Sequence, residues 1–268
     1  MSIKGLLTII IIFCPLSAIA VQWDVTVLPT ASIRYRGEGS VIPQSYVNRF
    51  SGETSPLYRL EVKQTFSREG YWGLSLWHTG YFGGGRHSVE QIPDNTTGGI
   101  YQTNKLNVGF TNFFVTYHRS LADWPVEALV SFSVVREIFN RREFVVQGVR
   151  WGGDDTNEIS AEGFGFGLTG SHGKRFYARW RALANYYIQI WDAKTDCSAG
   201  QIFQLEGGLG ARLGKGFSIE VGLLHQYWFI LSQGNRRISV PGTAGAVISW
   251  NRQETLTGGG YIRLQRAY

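Results

Sequence analysis

The chain has 268 residues, with 26 Lys and Arg against 20 Asp and Glu for a net charge of +6, and it is rich in glycine (34) and aromatics (14%). That length accommodates one domain or one barrel, and this much glycine together with aromatics is not the composition of a disordered chain. No stretch beyond the N-terminal segment reaches the roughly 18 apolar residues of a membrane helix, so a helical membrane protein is excluded.

Residues 1–20 read as a secretory signal peptide. Lys4 is their only charge, Gly5 to Leu16 is almost wholly apolar, and Ala18-Ile19-Ala20 places small residues where cleavage occurs. Phe13 stands before Cys14 where a lipoprotein signal has a small residue. Residues 21–268 then form the second unit. Cys197 is its only cysteine, so it has no internal disulfide.

Side chains alternate with period two along most of this unit, which is the mark of a strand with one apolar and one polar face. In Trp23–Arg36, Val25, Val27, Ala31, Ile33 and Tyr35 alternate with Asp24, Thr26, Ser32, Arg34 and Arg36, and Pro29 demands a bulge or kink. Gly37–Ser55 reads as a polar loop. Leu57–Ser67 places Tyr58, Leu60 and Val62 outward and Arg59, Glu61 and Lys63 inward. Tyr71–Phe82 is a third strand, followed by a Gly-rich loop through Gln102. Thr103–His118 carries Leu106, Val108, Phe110 and Phe114 on one side. Val126–Ile138 aligns Ala128, Val130, Phe132 and Val134, and Phe139–Glu158 is a third long loop.

Ile159–Gly170 presents Phe164, Phe166 and Leu168 on one face and Gly163, Gly165 and Gly167 on the other. Arg175–Trp191 has the clearest alternation, with Ala178, Trp180, Ala182 and Ala184 opposite Tyr177, Arg179, Arg181 and Asn185. Ile202–Leu231 is a hairpin around Gly214-Lys215-Gly216. It presents Leu205, Leu209, Val221 and Leu223 on the apolar face and Glu206, Gly208, Gly210, Arg212 and Glu220 on the polar one. Glu254–Tyr268 is the last strand.

The fold class read from this pattern is all-β: a transmembrane antiparallel up-and-down β-barrel of ten strands. Twelve remain an alternative if Glu143–Trp151 and Ala244–Trp250 pair as strands, and eight is the smaller one. Connections alternate long and short, which puts both termini and the short turns on the periplasmic side. Aromatics cluster near strand ends, as in the girdles of such barrels. Tyr71, Trp72, Trp124, Phe176 and Phe217 mark one end, and Tyr58, Phe164, Tyr186, Tyr187, Phe203 and Trp228 the other.

With its signal peptide, alternating last strand and terminal aromatic (Tyr261-Ile262-Arg263-Leu264-Gln265-Arg266-Ala267-Tyr268), the chain resembles Gram-negative outer-membrane β-barrel proteins. The resemblance implies an outer-membrane location. It also implies recognition of the strand ending at Tyr268 by the barrel-assembly machinery, and contact with outer-membrane lipid and lipopolysaccharide.

The polar face holds the candidate site. Arg59, Glu61, Lys63, Arg179, Arg181, Glu206, Arg212, Glu220 and Arg263 are expected in the lumen or at its rim, with Arg34, Arg36, Lys105, Glu127 and Glu137 beside them. Such charges either bias a pore toward anions or pair and fill a narrow interior. Arg86, Arg141, Arg142, Arg236 and Arg237 are the candidates for external loops, where guanidinium groups suit lipopolysaccharide phosphates.

His78, His87, His118, His172 and His225 show no metal-ligand spacing. Ten-stranded outer-membrane proteases of the omptin type use paired aspartates and an Asp-His pair. Asp154-Asp155 lies in a suitable loop, but no Asp-x-His follows it. In outer-membrane lipid-modifying enzymes a Ser-His pair acts, yet His87-Ser88 and Ser171-His172 are adjacent and point apart. The expectation is therefore a monomeric, non-enzymatic barrel with a largely closed lumen and no cofactor, metal or nucleic acid. A small anion-favouring channel is the alternative, and a lipid-modifying enzyme the third reading.

Overall fold

A computed structural model describes residues 21–41, 44–65, 70–79, 89–93, 99–121, 124–192, 197–237 and 247–267. The signal-peptide segment, Arg86, the pair His87-Ser88 and Tyr268 lie outside these. Twelve strands form among the described residues. They are β1 (Val21–Val41), β2 (Gln44–Thr65), β3 (Gly70–Thr79), β4 (Val89–Pro93), β5 (Ile100–Ser120) and β6 (Val126–Val146), then β7 (Val149–Trp151), β8 (Asp155–His172), β9 (Phe176–Asp192), β10 (Cys197–Gly214), β11 (Phe217–Arg237) and β12 (Val247–Ala267).

Ten of them close an antiparallel barrel in the order β1, β2, β3, β5, β6, β8, β9, β10, β11, β12, with β12 returning to β1. The two short strands extend this wall. Strand β4 continues the line of β3 between β5 and β2 (Gln91 opposite Arg49). Strand β7 folds back on the end of β6 through Gln147-Gly148, whose φ angles of 49° and 81° suit a tight hairpin turn. The ten-strand expectation is met, and the segments of the twelve-strand alternative add no stave: Glu143–Trp151 ends β6 and folds back as the short β7, and the described part of Ala244–Trp250 opens β12.

The strands are longer than alternation foretold. Gly37–Val41 and Gln44–Ser55, expected as loop, pair with each other in β1 and β2, and Phe139–Val146 continues β6. The sequence of these stretches does not alternate regularly between apolar and polar, so hydropathy carries no signal although the backbone ladder continues. Strand β2 has 22 residues. At about 3.3 Å per residue and a tilt of about 40° it rises roughly 55 Å, about twice the 25 Å apolar band of such barrels. The barrel therefore stands well beyond its apolar belt on one side, called the far end here. The opposite end, with the short connections around Gly173 and Lys215, is the turn end.

The belt is an outward face of large apolar side chains, among them Leu209 at 68%, Leu223 at 62% and Ile188 at 75% exposure. Water would not tolerate so wide an apolar surface; lipid requires it. Trp72, Trp124, Phe176 and Phe217 ring the turn end of the belt, and Tyr58, Phe164, Tyr186 and Phe203 its other margin. Tyr71, Tyr187 and Trp228 were expected in these rings. Tyr187 and Trp228 are buried in the lumen, and Tyr71 turns inward against His118.

Two further expectations about facing are overturned. A bulge at Pro29-Thr30 shifts the register between Leu28 and Ala31 and reverses the parity of β1 beyond it. Ala31 and Ile33 thus point inward, while Arg34 and Arg36 are exposed on the outer wall. On β5 the apolar set Leu106, Val108, Phe110 and Phe114 fills the lumen, and Lys105 lies outside against Glu143 at 2.7 Å. Apolar residues line both faces of these segments, so polarity could not say which side was lipid.

An arginine at mid-belt must break the lipid contact of the wall. Leu223→Arg is expected to lower stability by about 2–4 kcal/mol, measured by urea unfolding in lipid vesicles. Arg142→Gln, on the outer wall beyond the belt, is expected to leave the unfolding midpoint unchanged.

Candidate functional site

Inward positions on β1, β2, β9, β10, β11 and β12 converge on one charged layer in the turn-end half of the lumen. Their strands place them there because each charge sits at every second residue opposite an apolar, outward neighbour. Asp24 and Thr26 flank Val25, Arg59 and Glu61 flank Leu60, and Arg179 and Arg181 flank Trp180.

Glu206 and Glu220 anchor the layer. The Arg59 guanidinium donates to both Glu206 oxygens, at 2.6 and 3.3 Å, and to Thr26 Oγ1 at 3.2 Å. Arg263 donates to Glu206 as well, to Glu220 at 2.9 Å and to Thr26 Oγ1 at 3.0 Å. The Tyr261 hydroxyl donates to Glu220 at 2.5 Å. Arg59 on β2 and Glu206 on β10 stand four staves apart among the ten, so their bond reaches across the lumen while Arg263 and Glu220 join them from the strands between. Arg59 and Arg263 are at most 1% exposed, and they lie 4.8 and 4.9 Å from the ring centroids of Trp77 and Tyr261.

A second group lies nearer the turn end. Lys63 donates to Asp24 at 2.9 Å and stands 3.8 Å from Glu61, which is 3.6 Å from Arg181. Gln22 and Gln265 add hydrogen bonds to Asp24 at 2.8 and 3.1 Å. Glu127 accepts from the Tyr71 hydroxyl at 2.7 Å and lies 3.5 Å from His118, whose ring stacks on Tyr71 at 4.2 Å. Arg59, Lys63, Arg181 and Arg263 each thus stand within ion-pair distance of a carboxylate of Asp24, Glu61, Glu206 or Glu220, and Arg179 lies 3.9 Å from Asp24 without a hydrogen bond to it. Charges taken out of water need this matching.

The inward glycines make room for large neighbours. A Cβ on Gly222 would lie 2.7 Å from the Tyr261 ring, and one on Gly210 would lie 2.6 Å from the Tyr177 hydroxyl. Beyond the charged layer the lumen turns apolar. Leu28, Leu57, Trp77, Phe114, Leu183 and Leu224 fill it and are at most 3% exposed. Gln226 accepts from Asn112 and Gln204 among them, at 3.3 and 3.1 Å. At the far end Glu90 takes Arg141 at 2.7 and 3.2 Å and Asn104 at 2.7 Å.

Of the residues singled out in the sequence, Arg59, Glu61, Lys63, Arg181, Glu206, Glu220 and Arg263 are buried inside the barrel. Arg179 lines its turn-end cavity, and Arg212 is exposed at the mouth, 5.7 Å from the Tyr177 ring. The loop candidates fare differently. Arg141 belongs to β6 and points into the lumen, while Arg142 is exposed on the outer wall of the same strand. Arg236 and Arg237 lie on β11, opposite Ile248 and Val247. The ladder absorbed these loops into strands. Asp24, Thr26, Tyr71 and His118 belong to the charged layer but were not singled out. Their signal was present in the alternation of β1 and in the position of His118 opposite Tyr71.

Asp154 is exposed between β7 and β8, and Ser171-His172 is exposed at the turn end. His118 Nε2 stands 3.1 Å from Thr116 Oγ1, with Glu127 at its other nitrogen, but Thr116 and His118 are at most 2% exposed and present no surface to a substrate.

No family model matches the chain, and no curated protein matches it by sequence. Solved structures do match it. The outer membrane protease OmpT from Escherichia coli aligns with 95% of this chain and 99% of its own at 9% identity, with a TM-score of 0.61. The translocator domain of the autotransporter NalP from Neisseria meningitidis aligns at 5% identity with a TM-score of 0.43, covering 99% of this chain and 94% of that one. The transport unit of the autotransporter AIDA-I from Escherichia coli aligns at 8% identity and 0.43, covering 96% and 94%. The chain therefore has the fold of outer-membrane β-barrel proteins.

Removing one partner from the network strands a buried charge. Arg263→Met is expected to cost about 3–5 kcal/mol in urea unfolding. The paired variant Arg59→Met with Glu206→Met is expected to cost less than the sum of its single changes.

Proposed function

We propose that this chain is an outer-membrane protein of a Gram-negative bacterium whose barrel is closed to solutes and performs no catalysis. In this reading residues 1–20 direct export and are removed, the barrel is monomeric, and its last strand engages the assembly machinery. The turn end faces the periplasm and the elongated far end stands outside the cell. The far-end wall then serves structural or surface-binding roles.

One observation carries the reading. The Arg59–Glu206–Arg263–Glu220 network reaches across the lumen and side chains pack around Trp77 and Phe114 above it, which supports a closed barrel. An ion crossing the charged layer would have to separate buried pairs, and in the layer above it the few polar groups, such as Gln226 with Asn112 and Gln204, are hydrogen-bonded to one another among packed apolar side chains. Surface binding rests on exposed basic side chains beyond the belt. Arg34 and Arg36 on β1 and Arg142 on β6 stand where an outer leaflet places its phosphates. Lys105 stands beside them, its ammonium hydrogen-bonded to Glu143 and holding that carboxyl below its usual range.

The test is current across a planar bilayer containing the purified protein, under a salt gradient. A silent bilayer, with insertion confirmed by protection of the barrel from protease, is the expected result. Steady steps that reverse toward the anion potential would instead establish a channel.

A further inference from the structure

The lumen is not filled at its turn end. A cavity of about 580 Å³ opens there beneath the charged layer, bounded by the turns and by the first and last residues of the barrel strands. That volume lies within the range of small-ligand sites. Lys63, Arg179 and Arg212 line it, and Glu127 is the acid in its wall. Glu127 is already engaged by Tyr71 and His118.

Arg179 is the decisive residue. Its side chain is nine-tenths buried, at 10% exposure, yet among the described residues no acceptor lies within hydrogen-bonding distance of its guanidinium. The nearest carboxylate oxygen, Asp24 Oδ2, is 3.9 Å away. That oxygen already accepts from Lys63 at 2.9 Å and Gln265 at 3.1 Å. A guanidinium carries five N–H donors in a planar fork. Here the fork borders a cavity whose wall adds an ammonium, a second guanidinium and the hydroxyl of Ser171. Donors and positive charge converge, and free acceptors do not.

We infer that this vestibule is a binding site for a small anionic solute bearing a carboxylate or phosphate group, with Arg179 as its principal contact and Arg212 guarding its mouth. Arg179 is placed to take two anion oxygens through parallel N–H groups, the geometry in which arginine binds such groups most strongly. Lys63 contributes charge from the floor without leaving Asp24. Because the charged layer roofs the cavity, a bound anion returns by the mouth it entered. The site is a receptor pocket and not a step in a permeation path. The assignment of the mouth to the periplasm and the exclusion of permeation rest on the function proposed above; binding itself does not.

Calorimetric titration of the purified protein in detergent micelles, at neutral pH and low chloride, tests this with inorganic phosphate and then succinate. Saturable heat is expected for at least one of the two, and which one responds separates phosphate from carboxylate recognition. Arg179→Gln is expected to weaken binding by about tenfold or more, the worth of a charge-assisted hydrogen bond. Arg150→Gln, exposed on the short far-end strand β7, is expected to leave it unchanged. Absence of saturable heat with both anions, or equal affinity in Arg179→Gln that still shows the folded band of an unheated gel, overturns the proposal. If that variant fails to fold, Ser171→Trp at the exposed turn replaces it. Loss of binding upholds the site, and full retention overturns it. A bilayer that conducts while phosphate binding persists would remove the closed-lumen reading alone.

Discussion

Every strand of this barrel must find two hydrogen-bonded neighbours, because lipid offers none to an open edge. The seam between β1 and β12 is where that requirement is met last, and it is also where the wall is least regular. Pro29 brings no N–H to the ladder, and the chain answers with a bulge rather than a gap. Pairing resumes at Ser32 opposite Gly258, so the barrel closes, and the outward and inward faces of β1 exchange at that point.

Closure with ten strands sets the second constraint: the interior is narrow. A narrow lumen cannot hold isolated charges, since each would lose its water without gaining a partner. Most charges drawn inward by alternation are therefore set against each other across the lumen, with Glu206 shared by Arg59 and Arg263, while Glu137 is the exception, buried beside Thr255 with no cation at hand among the described residues. Aromatic rings cover the guanidinium faces, and glycines opposite them give the rings space. The charged layer is better understood as a device of specificity than of stability. Buried pairs gain little over packed apolar side chains, but they punish any register that leaves one of them alone.

Function divides along the same axis. In the function proposed, the packed middle of the barrel takes no part in chemistry. What remains available are the two ends, with exposed arginines on the far-end wall and a basic vestibule at the turn end. The likeness to an outer-membrane protease is a likeness of wall, and the same wall supports many activities. In the far-end lumen stands the Glu90–Arg141–Asn104 cluster, whose charge is internally satisfied.

By itself the sequence determined the architecture: the all-β class, the ten staves, the apolar belt, and the inward placing of Arg59, Glu61, Lys63, Arg181, Glu206, Glu220 and Arg263. Alternation against lipid is a strict code, because one face must be apolar wherever the bilayer touches it. Where lipid ends, the code ends. Only tertiary structure could show that Gly37–Ser55 and Phe139–Val146 continue as strands, that Arg141 turns inward, or that the Pro29 bulge sends Arg34 outward. Nor could spacing show which cation meets which carboxylate, since partners such as Arg59 and Glu206 lie 147 residues apart. The same holds for Arg179, whose guanidinium borders a cavity with no acceptor in reach. Pairing across a lumen depends on the register and closure of the whole barrel, which no local pattern of residues encodes.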